Sequence, residues 1–305
     1  MEKRGSREIE VTAAADDGVA LAGTLALPDG PGPHPAVLIL NGSGRLDRDA
    51  NNRVARMELG RPLAAALAQQ GIATLRLDRR GAGRTPGNWR ATGFTDNRRD
   101  AFAALRALAA RPEIRAEAIG VVGHSEGAAH AMALGADPQV RAVVLLAGFA
   151  RVGEDLVRWQ GRQVARDVPS PLRPLLRRLA NRSLGRIKAS TTDVARVAGI
   201  PVNTRWMREI FAYDPRPDLA NIKAPVLAIT GDKDIQVDPA GLDVMRKLVP
   251  GEIEVNRVPD LTHLLRRDAG RPSARSYRKL LRQPVDAEVL ARVAGWFAQK
   301  LDTAR

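Results

Sequence analysis

Residues 117–135 constrain this chain more than any other stretch. Glu117-Ala-Ile-Gly-Val-Val-Gly-His-Ser-Glu-Gly-Ala-Ala-His-Ala-Met-Ala-Leu-Gly135 reads as a short apolar strand, a sharp turn carrying Ser125, and an alanine-rich helix. Residues 118–122 are apolar without alternation, the pattern of a strand covered on both faces. Gly123-His124-Ser125-Glu126-Gly127 fits G-x-S-x-G, a turn so tight that the serine backbone is strained and its hydroxyl stands clear of the sheet. A side chain two residues either side of the serine would meet the crossing strand or helix, so glycine is required there. The helix that follows aims unpaired N–H groups at any negative charge forming beside the hydroxyl.

A serine hydroxyl is a weak nucleophile unless a base stands within reach, most often a histidine oriented by a carboxylate. The chain has four histidines. His34 lies in a loop before a strand, at the wrong end of the sheet. His124 adjoins the serine with its side chain directed away, and His130 sits on the elbow helix below the active edge. That leaves His263, in Val258-Pro-Asp-Leu-Thr-His-Leu264 just after the last strand. For the acid, the chain order serine, acid, histidine points to the strand end between the two, where Asp232, Asp234 and Asp238 qualify by position. Asp234 is favoured because Gly231-x-x-Asp234-x-x-Val237 turns the chain off the strand and leaves that carboxylate aimed at the histidine loop; Asp232 is the reserve. Aspartates not used this way suit capping and turns. A developing oxyanion needs donors, and the expected ones are the N–H of Glu126 and an N–H of the loop after strand 36–40, from Ser43 or otherwise Gly42.

The rest of the chain alternates strands with helices. Strands at 7–14 and 19–27 form a hairpin through Asp16-Asp17-Gly18, and further strands are expected at 36–40, 72–77, 142–147, 225–230 and 252–258. Helices are expected at 56–70, 96–110, 239–248 and 285–301. Such alternation predicts an α/β protein with a mostly parallel sheet. Residues 151–219 break the rhythm: the segment is arginine-rich, carries Pro169, Pro171 and Pro174, and has no strand-like run. It reads as a helical cap inserted into a core made of 1–150 and 220–305. The glycine-rich loops at Gly42 and Gly81 lack the third glycine of a dinucleotide fingerprint and the lysine of a phosphate loop, which argues against a nucleotide site.

Composition narrows the partners. There is no cysteine, so disulfides, thiolate metal sites and a cysteine nucleophile are excluded. The net charge of +14 comes from arginines scattered along the chain, and with only 4% aromatic residues it reads as a solvated basic surface rather than a nucleic-acid interface. The octapeptide Met1-Glu-Lys-Arg-Gly-Ser-Arg-Glu8 has no apolar segment behind it, and the longest apolar run, 142–150, is too short to span a bilayer. A cytoplasmic protein without membrane partner, metal or organic cofactor is expected; oligomeric state is not specified.

Taken together, Asn41-Gly42-Ser43-Gly44, Asp78-Arg79-Arg80-Gly81-Ala82-Gly83, the elbow pentapeptide, Gly231-Asp232-Lys233-Asp234 and Thr262-His263 resemble the α/β-hydrolase superfamily along nearly the whole chain outside 151–219. The sequence is similar to bacterial serine carboxylesterases and acyl hydrolases with a His-Ser-Glu-Gly elbow. The resemblance implies an eight-stranded sheet, the triad Ser125, Asp234 and His263, and hydrolysis of small-molecule esters through an acyl-enzyme. No His-Gly-Gly-Gly loop is present, so esters of bulky tertiary alcohols are not expected. An amidase or peptidase would use the same machinery, and a non-catalytic binding protein on this scaffold is the rival of another class.

Overall fold

The structure, a computed structural model, describes residues 5–302; the first four residues of the amino-terminal octapeptide lie outside that range. Its apolar runs pair into one eight-stranded sheet. β1 (Ser6–Ala14) and β2 (Ala20–Pro28) form the antiparallel amino-terminal hairpin. β3 (His34–Leu40), β4 (Ala73–Leu77), β5 (Ile114–His124) and β6 (Val140–Leu146) follow. β7 (Val194–Val197) and β8 (Ile200–Asn203) pair only with each other, and β9 (Val226–Gly231) and β10 (Ile253–Val258) complete the main sheet. Its strand order is β1-β2-β4-β3-β5-β6-β9-β10, with β2 antiparallel to β4 and every neighbouring pair from β4 to β10 parallel. Parallel neighbours need long crossovers, which the intervening helices supply.

Helices cover both faces. α1 (Gly60–Gln69) and α10 (Ala287–Asp302) close one face, burying Leu63, Leu67, Val293 and Phe297 against Val37, Ile39, Val122 and Val144. α2 (Phe94–Ala109), α3 (Glu126–Leu134) and α8 (Gly241–Leu248) close the other, where Leu105, Met132 and Met245 meet Leu38, Val121 and Leu145. Successive residues of β3, β5 and β6 thus enter opposite cores, which is why these strands read as continuous apolar runs. Each fully buried leucine or phenylalanine contributes about 1.5–3 kcal/mol. β4 flanks β3 on one side and β5 on the other, so the loops leaving β3 and β5 part there and open a crevice at the strands' carboxyl ends.

Several boundaries differ from the sequence reading. His34 is the first residue of β3 rather than part of the preceding loop. α1 starts at Gly60, not near 56, because Glu58 takes φ 46°, which no helix accommodates. Between β6 and β9 lie α4 (Gly153–Ala165), α5 (Arg173–Ala189), α6 (Thr204–Ala212) and α7 (Arg216–Ala220), but also the β7–β8 hairpin, where no strand was expected. Its two-residue turn, Ala198-Gly199, takes φ 49° and 81°, the left-handed pair that tight hairpins need. Four-residue strands, one containing Pro201, carry too little alternation to be read from sequence. The short α9 (Tyr277–Leu280) precedes α10. Among the described residues no helix is long and apolar enough to cross a membrane.

Candidate active site

Ser125 occupies the turn between β5 and α3 with φ 56° and ψ −116°, a strained conformation for a residue with a Cβ. Hydrogen bonds hold it there: its N–H donates to Leu146 O at 2.9 Å, and its carbonyl accepts from Ala128 N at 3.0 Å. A Cβ on Gly123 would lie 2.1 Å from Gly127 O, and one on Gly127 2.2 Å from Leu40 O, so both flanks of the serine exclude larger residues. The N–H of Glu126 belongs to the first turn of α3, where no intrahelical acceptor exists. Gly42 follows β3 and is buried, with the position of a Cβ only 3.4 Å from Ser125 Cβ, whereas Ser43 is exposed.

The loops after β9 and β10 meet closely. A Cβ on Gly231 would lie 1.8 Å from Leu261 O. This approach brings Asp234 to His263: Nδ1 of the imidazole is 2.8 Å from Asp234 Oδ2, and both residues are 4% exposed. A carboxylate only accepts, so Nδ1 carries the proton and Nε2 is left with its lone pair. Asp234 Oδ1 accepts from the N–H groups of Gln236 at 2.7 Å and Val237 at 2.8 Å, which fixes the carboxylate. Asp232 is turned elsewhere, accepting from Asp260 N at 2.7 Å, and Asp238 accepts from Ala240 N and pairs with Arg151. His124 supports the histidine loop from the elbow side, since its Nε2–H donates to His263 O at 2.9 Å and the two rings stand 4.9 Å apart. Burial, reinforced by the charge of His263, pushes the His124 imidazole down to about 3, so it stays neutral. Among the described residues no hydrogen bond joins His263 to Ser125 Oγ; such contacts often tighten only when substrate is bound.

Sequence reasoning used only the backbone of Glu126, yet its side chain is 3% exposed and heavily bonded. Oε1 accepts from Arg79 Nη2 at 2.5 Å, from Asn97 Nδ2 at 3.1 Å and from His130 Nε2 at 3.1 Å. Oε2 accepts from the Trp206 indole N–H at 3.0 Å. Burial would raise this carboxyl, but the Arg79 charge and the bonds from His130 and Arg79 outweigh it and hold it down at about 2. The signal for this arrangement was an acid placed directly after the serine, at the start of a helix apolar but for His130 four residues on. A cavity of about 320 Å³ adjoins it, with Ser43, Arg79 and Asn97 on one side and Val202, Trp206 and Met207, from β8 and α6, on the other. Among the described residues no group of three or more His, Asp or Glu side chains is arranged to hold a metal ion.

Residues 56–269 match the family described as serine aminopeptidase, S33. Esterase EstD of Thermotoga maritima is 26% identical over 286 residues, covering 92% of this chain and 66% of that protein. The 2,6-dihydropseudooxynicotine hydrolase of Paenarthrobacter nicotinovorans is 27% identical over 237 residues, covering 77% and 54%. The chain thus spans less than two thirds of the length of either relative. Among solved structures, Est1E from Butyrivibrio proteoclasticus with bound ferulic acid aligns with a TM-score of 0.64 at 16% identity, over 96% of this chain and 99% of that one, a likeness of fold. With more than half its length matched, from before α1 to beyond His263, and the sheet order described above, this chain is a member of the serine aminopeptidase S33 family with the α/β-hydrolase fold.

Proposed function

We propose that the protein is a serine hydrolase that cleaves small-molecule carboxylic esters, with Ser125 as nucleophile, His263 as general base and Asp234 as its orienting acid. The observation that carries this reading is the bond from His263 Nδ1–H to Asp234, which leaves Nε2 as the basic nitrogen on a loop braced against the serine turn. In this scheme Nε2 takes the Ser125 proton while Oγ attacks the ester carbonyl carbon. The charge that develops on the carbonyl oxygen is received by the N–H groups of Glu126 and of the Gly42–Ser43 loop, each such donor worth roughly 3 kcal/mol. Collapse breaks the carbon–oxygen bond, and His263 returns its proton to the departing alcohol. Water, deprotonated by the same nitrogen, then releases the acid and restores Ser125. Residues 151–219 serve as a cap over this centre, with Val202, Trp206 and Met207 shaping the acyl or alcohol pocket. The names of EstD and Est1E favour the ester; the family description favours an amide.

A fluorophosphonate probe and a panel of nitrophenyl esters beside aminoacyl anilides test the proposal. The probe is expected to label the wild type and not Ser125→Ala, and esters to turn over faster than anilides. Faster anilide cleavage would select the peptidase reading, while a folded wild type that neither reacts with the probe nor hydrolyses either series would leave a binding protein.

A further inference from the structure

Arg79 joins two parts of the proposed oxyanion site that the sequence keeps far apart. Its Nη1 donates to the carbonyl oxygen of Gly42, and its Nη2 donates to Glu126 Oε1. The Gly42 carbonyl and the Ser43 N–H belong to one planar trans peptide, so they point in opposite directions and turn together. A guanidinium fixed on the carbonyl therefore fixes the direction of the Ser43 N–H. Arg79 is itself fixed, being only 13% exposed at its side chain and paired with a carboxylate that Asn97, His130 and Trp206 hold from three other sides.

We infer that Glu126 and Arg79 are positioning residues for oxyanion stabilisation. Glu126 supplies one donor from its backbone and, through its side chain and Arg79, aims the peptide that supplies the other. The inference rests on the reading of Ser125 as nucleophile, and it selects Ser43 over Gly42 as the second donor. It also gives a reason for a buried acid next to the nucleophile, where a bare carboxylate would oppose the charge formed in the reaction: the Arg79 charge cancels it. The geometry calls for arginine here, because two forked N–H groups reach the carbonyl and the carboxylate at once, whereas lysine is a single point.

Arg79→Met, Arg79→Lys and Glu126→Gln, measured with a nitrophenyl ester beside wild type and Ser125→Ala, test it. Circular dichroism and melting curves establish which variants fold, and the lysine variant retains the charge where the methionine variant is unstable. Arg79→Met and Glu126→Gln are expected to lose about 10- to 100-fold in kcat with KM within about threefold, since the donors act on the transition state. A boronic-acid analogue of the tetrahedral intermediate should weaken by a similar factor, and Arg79→Lys should fall between. Folded variants with wild-type kcat, or with losses confined to KM, would overturn the inference while leaving Ser125 in place. Full activity of Ser125→Ala would overturn the nucleophile assignment and this inference with it.

Discussion

His124→Gln should change how stability depends on pH more than it changes stability at neutrality. His124 is 4% exposed and held neutral, donating from Nε2 to the His263 carbonyl at 2.9 Å. Burial and then the adjacent His263 charge bring its pKa from the ordinary 6.5 down to about 3. Between those values the unfolded chain binds a proton that the folded chain refuses, so stability that is complete above about 6.5 drains away as pH falls toward about 3. The slope is about 1.4 kcal/mol per pH unit, which gives a loss of about 2 kcal/mol at a pH of about 5. His130, also lowered by burial first, adds in the same direction, whereas Glu126, held at about 2, loses its contribution only as pH falls from about 4.5 toward 2. Glutamine, whose Nε2 can take the place of the imidazole Nε2, keeps an N–H for the His263 carbonyl but does not titrate. It should cost about 1 kcal/mol near pH 7, and the difference from wild type should shrink or reverse near pH 5. Urea unfolding of both proteins at several pH values, followed by tryptophan fluorescence, reads the two slopes. Parallel curves, with a gap constant to about 0.5 kcal/mol, would refute a buried neutral imidazole at this position.

Two further pairs of substitutions separate sites that look alike in sequence. Gly127→Ala forces a Cβ to within 2.2 Å of Leu40 O and should lower stability by at least about 1–3 kcal/mol, while Gly295→Ala, in α10 with nothing within 4 Å, should raise it by about 0.5–1 kcal/mol; thermal melts compare them. Asp234→Asn removes the acceptor that fixes the proton on His263 Nδ1 and should reduce kcat on a nitrophenyl ester by roughly 10⁴-fold. Asp232→Asn, which disturbs only the bond from Asp260 N, should stay within about tenfold of wild type in the same assay.

Much of the fold was legible because burial on two faces writes long apolar runs. Residues 36–40 and 118–122 announce central strands that way, and Gly123 and Gly127 mark the turn because backbone crosses both positions. The meeting of His263 with Asp234 was readable from chain order and from the turn after Gly231. Asp232 and Asp234 differ in what their carboxylates face, and that depends on the register of the loop after β9 against the loop after β10. The surroundings of Glu126 were not legible. Arg79, Asn97 and Trp206 come from a loop after β4, from α2 and from α6, and nothing local in sequence reports that three distant donors converge on one carboxylate. The β7–β8 hairpin escaped for the opposite reason, its strands being too short and too exposed to leave a periodic trace.

β6 and β9 are parallel hydrogen-bonded neighbours, so the chain leaves the sheet after Leu146 and crosses back to re-enter in the next strand at Val226, opposite Val143. The exposed stretches between them, such as α5, can be exchanged for segments of another length without disturbing the pairing of the central strands, whereas Leu219 and Ile222 belong to the core beneath the sheet. One position in that segment bears directly on the serine turn, because the Trp206 indole satisfies the second oxygen of a carboxylate rooted under it. A transplanted segment must therefore bring its own N–H or O–H to that oxygen, or the exchange leaves one oxygen of a buried carboxylate without a donor at a cost of at least about 1–3 kcal/mol. New specificities built here must accordingly keep a hydrogen-bond donor beneath the pocket, however freely its walls are redrawn.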